Sequence, residues 1–366
     1  MNFIRMTRQL SFLHSVALLV LLLIACNSPS GDSRFKVKSK ALGVMNDLVI
    51  VSDDTVLQTA IADTIEKYYV GFYPITPRPE PIFDVRYYTL QELNSEPLRK
   101  ELRTYLVLCD LSDEDSPITR MVREDLGSER VLRAAQEDNY NTSIGRDKWA
   151  TGQIVMYVFA NGVENLGKAL ADNFDAIAAR INDHDSQQLF QLTYGRGENR
   201  GLANELRERF GATILFPNDY REALDMESLN GMRWMRKDTK DGAANIAITT
   251  YDYTGPEMLT KEAAKARFNN FGLNVSSSEP NTYVVINDVD LPMLTFDRIQ
   301  DNHFMREYRG IWEMENDFLG GPFQSYAIVN EEEGKLLSID AFIYDPKNEK
   351  RNMMQQIDAI VKRITW

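Results

Sequence analysis

Apolar runs alternate with amphipathic segments along the first half of the chain. Residues 47–52, 82–89, 104–111 and 153–160 predict four strands, because they are apolar or alternate with polar positions. Residues 55–70, 118–136 and 163–181 predict three helices, the second interrupted near Gly127. The order β-α-β-β-α-β-α is typical of a split βαβ, or ferredoxin-like, unit with an added helix.

A polar, glycine-containing segment at residues 182–201 predicts a break between two halves. Residues 202–210, 232–236, 245–253, 260–268 and 282–287 then predict a helix, two strands, a helix and a strand. This order echoes that of the first half, so duplication of one unit is an open interpretation. The two sequences do not match closely enough to decide it.

The C-terminal segment has a pattern of its own. Residues 305–315, 323–330 and 335–344 predict three antiparallel strands, and residues 348–363 predict a closing helix. The inner face of that helix is expected to carry Met354, Ile357, Ile360 and Val361. The predicted class is therefore α+β: split βαβ units, a C-terminal antiparallel sheet and a closing helix. The predicted halves are residues 41–190 and 200–366.

The N-terminus reads as an export signal. Arg5 and Arg8 precede an apolar stretch at residues 16–25. A helix that crosses a bilayer needs about 20 apolar residues, so this stretch is too short to span one. A basic start followed by a short apolar segment is typical of a signal peptide, here over residues 1–25.

The apolar stretch ends in the pattern of a bacterial lipobox, with Leu23, Ile24 and Ala25 directly before Cys26. We expect Cys26 to receive diacylglycerol and residues 26–40 to act as a flexible tether. An ordinary secretory signal with a chance cysteine is the alternative. By resemblance to lipoprotein sorting signals, Asn27 favours the outer membrane, with the folded body facing the periplasm.

Composition narrows the possible partners and cofactors. The chain has 366 residues, with 41 Lys and Arg against 54 Asp and Glu, and a net charge of −13. This acidic balance argues against a nucleic-acid partner. With three histidines and two cysteines in the whole chain, the sequence predicts neither a metal site nor a cofactor. Cys109 lies in an apolar run and is expected to be buried.

Residues 307–323 form the most distinctive stretch. Gly320, Gly321 and Pro322 require an unusual backbone, and charged and aromatic side chains flank them. A ligand site has this composition, and so does a constrained connection between two strands. The candidate binding surface consists of Trp149, Arg309, Trp312, Asp317, Gly320, Gly321 and Phe323.

Four stretches carry a resemblance to a known family: residues 147–153, 231–236, 307–323 and 342–346, the last followed by Lys350 and Arg351. Together they resemble Bacteroidetes lipoproteins grouped only as a domain of unknown function. Leu319 stands where Met is expected, and Asp340 and Ala341 stand where Glu and Gly are expected. The resemblance extends from about Ala41 to the C-terminus and implies a location and a class, but no catalytic residue.

Two functions remain as hypotheses. The first is a non-catalytic, lipid-anchored envelope protein that binds an envelope protein or a cell-wall ligand. The alternative is an envelope hydrolase that uses carboxylates such as Glu307, Glu313, Asp317 or Asp340. Hydrolysis requires a carboxyl group with a raised pKa, so two of these acids would have to converge in an aromatic-lined cleft.

Overall fold

The computed structural model describes residues 38–134, 136–137, 141–226 and 231–366, with no side-chain description for residues 224–226. The predicted signal peptide, Cys26 and most of the predicted tether lie outside these ranges. Ala41–Trp366 forms one unit by its internal contacts.

The first half is built around a five-stranded sheet. Its strands are β1 (Asp47–Val51), β2 (Asp84–Tyr88), β3 (Thr104–Asp110), β4 (Thr142–Arg146) and β5 (Ile154–Ala160). Their order is β2-β1-β3-β5-β4, with β4 antiparallel and the others parallel. Every residue of β3 and β5 is buried, as expected for parallel strands with both faces covered.

Helices cover both faces of this sheet. They are α1 (Asp54–Leu57), α2 (Ala60–Ile65), α3 (Leu90–Ser95), α4 (Pro117–Leu126), α5 (Ser128–Ala134), α6 (Val163–Asp172) and α7 (Phe174–Tyr194), with a π-helical turn at Glu66–Val70 and a 3₁₀ turn at Pro97–Glu101. One face packs against α2, α6 and α7, and the other against α4 and α5. Cys109 lies on the second face, where burial raises the pKa of its thiol to about 11.

The second half is built around an antiparallel sheet. Its strands are β6 (Arg221–Met226), β7 (Met232–Asp238), β8 (Ala243–Asp252), β9 (Tyr283–Asn287), β10 (Leu294–Gln300), β11 (His303–Glu315), β12 (Gly320–Asn330) and β13 (Lys335–Tyr344). They are ordered β10-β11-β12-β13-β8-β7-β6. The long strand β11 pairs with β10 along its first part and with β9 along its last.

Three helices complete this half: α8 (Arg200–Phe210), α9 (Lys261–Gly272) and α10 (Arg351–Val361), with a 3₁₀ turn at Pro256–Leu259. The core on one face contains α8 and α10, and the core on the other contains α9. Among the helices that the structure describes, none is both long enough and apolar enough to cross a bilayer.

The closing helix α10 joins the two halves. The Glu80 carboxylate accepts hydrogen bonds from the backbone N–H of Lys350 at 2.8 Å and of Arg351 at 2.7 Å, so it neutralises the positive end of the helix. The buried Arg351 donates in turn to Asp84 and to the Pro81 carbonyl, both at 2.6 Å. A loop of the first half therefore holds the start of the last helix.

The α+β class, the C-terminal antiparallel sheet and the closing helix are confirmed, including the burial of Met354, Ile357, Ile360 and Val361. Three finer expectations differ. The first sheet is largely parallel, so its strand order is not that of a ferredoxin-like unit. The second sheet is antiparallel, so the halves are not copies of one topology. Residues 182–194 belong to α7 rather than to a break.

Candidate functional site

A cleft of about 700 Å³ lies where the two halves meet. The first half lines it with residues just before β1 and β2, such as Asn46 and Phe83, and with α7, including Phe190. The second half contributes β10, β11 and α10, including Arg298 and Asp358. Because Asn46 and Phe83 precede their strands, the cleft lies at the amino ends of the parallel strands.

Five charged side chains of alternating sign line the second-half side of the cleft. Lys362 Nζ lies 2.6 Å from the Asp358 carboxylate, and Arg298 Nη2 lies 2.9 Å from it. Arg298 Nη1 lies 3.6 Å from Glu307, which also accepts a hydrogen bond from Arg309 Nε. Glu307 is 2% exposed, so two guanidinium groups stabilise its charge in place of water. We call these residues the charge series.

Local structure explains how the charge series is assembled. Glu307 and Arg309 are two residues apart on β11 and share one face, because side chains alternate along a strand. Arg298, on the neighbouring strand β10, pairs with Met305 of β11, and this register places Arg298 on the same face as Glu307 and Arg309. Asp358 and Lys362 are four residues apart at the end of α10 and are therefore neighbours on its surface.

Aromatic rings pack against the arginines of the cleft. The Arg309 guanidinium carbon lies 5.5 Å from the ring centres of both Tyr73 and Phe296, and its Nη1 donates to the Tyr73 hydroxyl at 3.2 Å. Arg363 lies 4.5 Å from the Tyr194 ring and 5.3 Å from the Phe190 ring. These distances permit cation–π attraction. The cleft therefore places cationic and aromatic surfaces side by side.

The protonation states suit ion pairing better than proton transfer. Burial works to raise the pKa of Asp358, but Lys362 and Arg298 hold it below its usual value. Burial raises the pKa of Tyr73, and that of Tyr326 well above its usual value, so both phenols stay neutral at neutral pH. A general acid needs a pKa close to the working pH, and Asp358 is shifted away from it.

Two residues of the predicted binding surface belong to the core beside α9. Trp312 is 2% exposed, and its indole N–H donates to the Ile343 carbonyl at 3.0 Å. Phe323 is 1% exposed and packs against Phe268, with ring centres 5.0 Å apart. The prediction that Trp312 and Phe323 form a binding surface is therefore wrong, because both face inward from their strands.

The glycines of that stretch have structural roles. A Cβ atom at Gly321 would lie 2.0 Å from the Ile343 carbonyl oxygen, so only glycine permits this close approach of strands. Gly320 is exposed and begins β12. Asp317 lies in the turn before it, and its carboxylate accepts the N–H of the exposed Phe318 at 2.7 Å. This segment is therefore better described as a constrained connection between two strands than as a ligand-binding loop.

Trp149 lies in the first half, outside the lining of the cleft. Its ring meets Tyr105 edge to face at 5.0 Å, and its backbone N–H donates to the Gln153 side chain at 2.9 Å. Of the seven residues predicted for the binding surface, Arg309 is the one that lines the cleft.

The four carboxylates considered for hydrolysis do not converge. Glu307 lines the cleft, and Asp317 lies in the exposed turn. Glu313 is exposed and accepts a hydrogen bond from Asn287 at 2.8 Å. Asp340 is buried on the α9 face, where Ser338 donates to it at 2.9 Å and burial raises its pKa. No two of them share a cleft in the described structure.

At the carboxyl edge of the first sheet, where open α/β sheets usually bind ligands, two acidic side chains are engaged in internal hydrogen bonds. The Asp110 carboxylate accepts the backbone N–H of Ser112 at 2.9 Å and of Gly162 at 2.8 Å. The Asp53 carboxylate accepts the Ser116 hydroxyl. Within the described ranges, no three His, Cys, Asp or Glu side chains are grouped to hold a metal ion.

No pattern in the sequence predicts Arg298, Asp358 or Phe190 as a site residue. Arg298 belongs to the edge strand β10, whose largely exposed residues hide its strand character. Phe190 and Phe296 each stand next to a polar residue in the sequence, but single exposed aromatic side chains are common and do not by themselves mark a site.

Fold and cleft define a two-part α+β protein whose parts meet at a charged, aromatic-lined cavity. Residues 41–193 match the profile of a domain of unknown function, DUF8532, and residues 199–363 match that of another, DUF4837. The two halves of the chain thus match two different domains of unknown function, and the resemblance to an uncharacterised domain drawn from the sequence is confirmed at this level. No curated protein matches the chain.

Two solved structures share limited similarity with the chain. The Ran-binding protein Mog1p of Saccharomyces cerevisiae is 10% identical, with a TM-score of 0.27, over 42% of this chain and 90% of its own. The human StarD13 lipid transfer and protein localization domain is 11% identical, with a TM-score of 0.21, over 44% of this chain and 91% of its own. At these TM-scores neither similarity carries an argument about function.

Proposed function

We propose that the protein is a non-catalytic binding protein of the cell envelope, anchored by lipid on Cys26, that holds a small ligand in the cleft. The observation that carries the binding role is the cleft itself. Its volume of about 700 Å³ falls in the range of small-molecule sites, roughly 300–1,000 Å³. The ion-paired state of Glu307 and Asp358 favours binding over the hydrolase alternative.

The anchor is supported by the sequence of residues 1–26, and its proposed site is the outer membrane with the body facing the periplasm. Metabolic labelling in the native host tests it. Radiolabelled palmitate is expected to enter the natural protein and to be absent from a Cys26→Ala variant, which has no thiol to modify. Equal labelling of both proteins, or an intact Met1 in the mass spectrum of the natural protein, would contradict the anchor.

Site-specific photocrosslinking tests the binding role. We expect a p-benzoylphenylalanine at position 190, which lines the cleft, to capture a small molecule in cells and to give a discrete mass increase. Position 318 is the matched control, because it also replaces a phenylalanine but lies on a fully exposed turn outside the cleft. The binding role fails if position 190 captures nothing, or if position 318 captures the same species.

A further inference from the structure

We infer that the ligand of the cleft is an anionic amphiphile: one carboxylate or phosphate group on an apolar body. This inference rests on the proposed binding role and names the chemistry that the cleft selects. It follows from the hydrogen-bonding capacity of the lining residues, from the placement of their charges and from the apolar surface beside them.

The buried side-chain atoms of the cleft lining that lack a hydrogen-bond partner in the described structure are both donors. Arg298 Nε and Arg363 Nη1 are buried nitrogen atoms without a hydrogen-bond partner. The buried carboxylates of the lining are engaged, Glu307 and Asp358 by the charge series and Asp185 by the Asn46 backbone N–H at 2.8 Å. An unpaired buried donor is costly, so a group that only accepts hydrogen bonds is the complementary ligand.

The charge series begins and ends on a cation, so three cations face two carboxylates. Lys362, at one end, has a side chain that is 58% exposed and open to a ligand. The other charged lining groups are balanced or solvated. Arg363 pairs with Glu198 at 2.7 Å, Asp185 pairs with Arg103 at 3.3 Å, and Asp183 is exposed. One further negative charge beside Lys362 and Arg298 would balance the charge series.

Apolar surface lies next to these cations. Phe190 and Phe296 both line the cleft, are each 41% exposed, and each pack against an arginine. Leu189 and Ile82 extend the apolar lining. A free inorganic anion would leave these rings in water, whereas an amphiphile covers them and places its charged group beside the guanidinium groups.

Titration calorimetry on the full chain in detergent tests the inference with three probes: 1-naphthoate, the neutral 1-naphthalenemethanol and acetate. We expect naphthoate to bind at least about tenfold more tightly than the alcohol, because a charge-assisted hydrogen bond contributes more than the 1.4 kcal/mol that tenfold requires. Acetate is expected to bind far more weakly than naphthoate because it has no apolar body.

The variant Arg298→Gln is expected to remove the preference for naphthoate, and Arg306→Gln to keep it. Arg306 is a matched control because it is similarly exposed and also paired with an aspartate, Asp297, yet lies outside the cleft lining. Lys362→Gln, at an exposed position, is expected to reduce the preference for naphthoate over the alcohol. This variant tests the inference if Arg298→Gln does not fold.

The possible failures are distinguishable. Equal affinities for naphthoate and the alcohol would overturn the anionic part of the inference and leave the binding role standing. Acetate binding as tightly as naphthoate would overturn the amphiphilic part. Binding of none of the probes would overturn the inference, and capture of a small molecule from position 190 would then decide separately whether the proposed binding role stands.

Discussion

Replacing Trp312 with alanine is expected to lower the free energy of unfolding by about 4 kcal/mol, because it empties a large site in a packed core. The indole is 2% exposed and lies 5.1 Å from the Phe342 ring, centre to centre. Its N–H donates to the Ile343 carbonyl, so the substitution also leaves a buried acceptor without a partner. Urea unfolding followed by circular dichroism measures the change.

Phe318→Ala is the control, since it removes an aromatic ring of the same segment that is fully exposed. We expect the free energy of unfolding of this variant to lie within about 0.5 kcal/mol of that of the natural protein. If Trp312→Ala abolished ligand binding but kept the natural unfolding midpoint, Trp312 would contact the ligand at a surface, and its assignment to the core would be wrong.

Replacing Arg351 with methionine is expected to lower the free energy of unfolding by about 3 kcal/mol, because it removes one partner of a buried ion pair and leaves the other charge unpaired. The Arg351 side chain is 2% exposed, whereas its partner Asp84 is 37% exposed. Water can therefore hydrate part of the Asp84 carboxylate, which places the expected cost at the lower end for such pairs. The Pro81 carbonyl also loses the donor that lies 2.6 Å away.

Arg86→Met is the matched control for this prediction. Arg86 also pairs with an aspartate, Asp47, at 3.3 Å, but its side chain is 50% exposed. Exposed pairs contribute roughly 0–1 kcal/mol, so we expect little change in the unfolding midpoint. Equal losses of stability in the two variants would show that the contribution of Arg351 to stability does not depend on its burial.

The elements with strong periodicity were predicted well. The closing helix and the strands β11, β12 and β13 follow directly from apolar spacing, because each has a face buried against the core. The missed strands β4, β6 and β10 each lie at an edge of a sheet, and β2 is an edge strand that was predicted. Side chains on edge strands are less covered by the core, so fewer of them are apolar. Their sequence pattern of apolar and polar residues then resembles that of a loop.

The error in the first sheet has a definite origin. Residues 90–101, between β2 and β3, contain α3 and a 3₁₀ turn, neither of which was predicted from the sequence. Without a helix there, β2 and β3 read as adjacent antiparallel strands. With it, the connection crosses over and allows both strands to pair in parallel with β1.

The cleft was beyond the reach of sequence patterns for a similar reason. Arg298 and Asp358 are far apart in the chain and meet at 2.9 Å through tertiary packing. Glu307 and Arg309 were both named as candidates, but for different hypotheses. Their shared face on β11 was predictable from alternation, whereas the partners that surround them were not.

The carboxylate of Glu80 has a consequence for the order in which the chain folds. It caps the start of α10, and Lys350 lies 270 positions further along the chain. The entropic cost of closing a loop grows with its length, and contacts of such long range slow folding. Docking of α10 is therefore expected late in folding, and until then the apolar face of the second sheet that it covers is open to water.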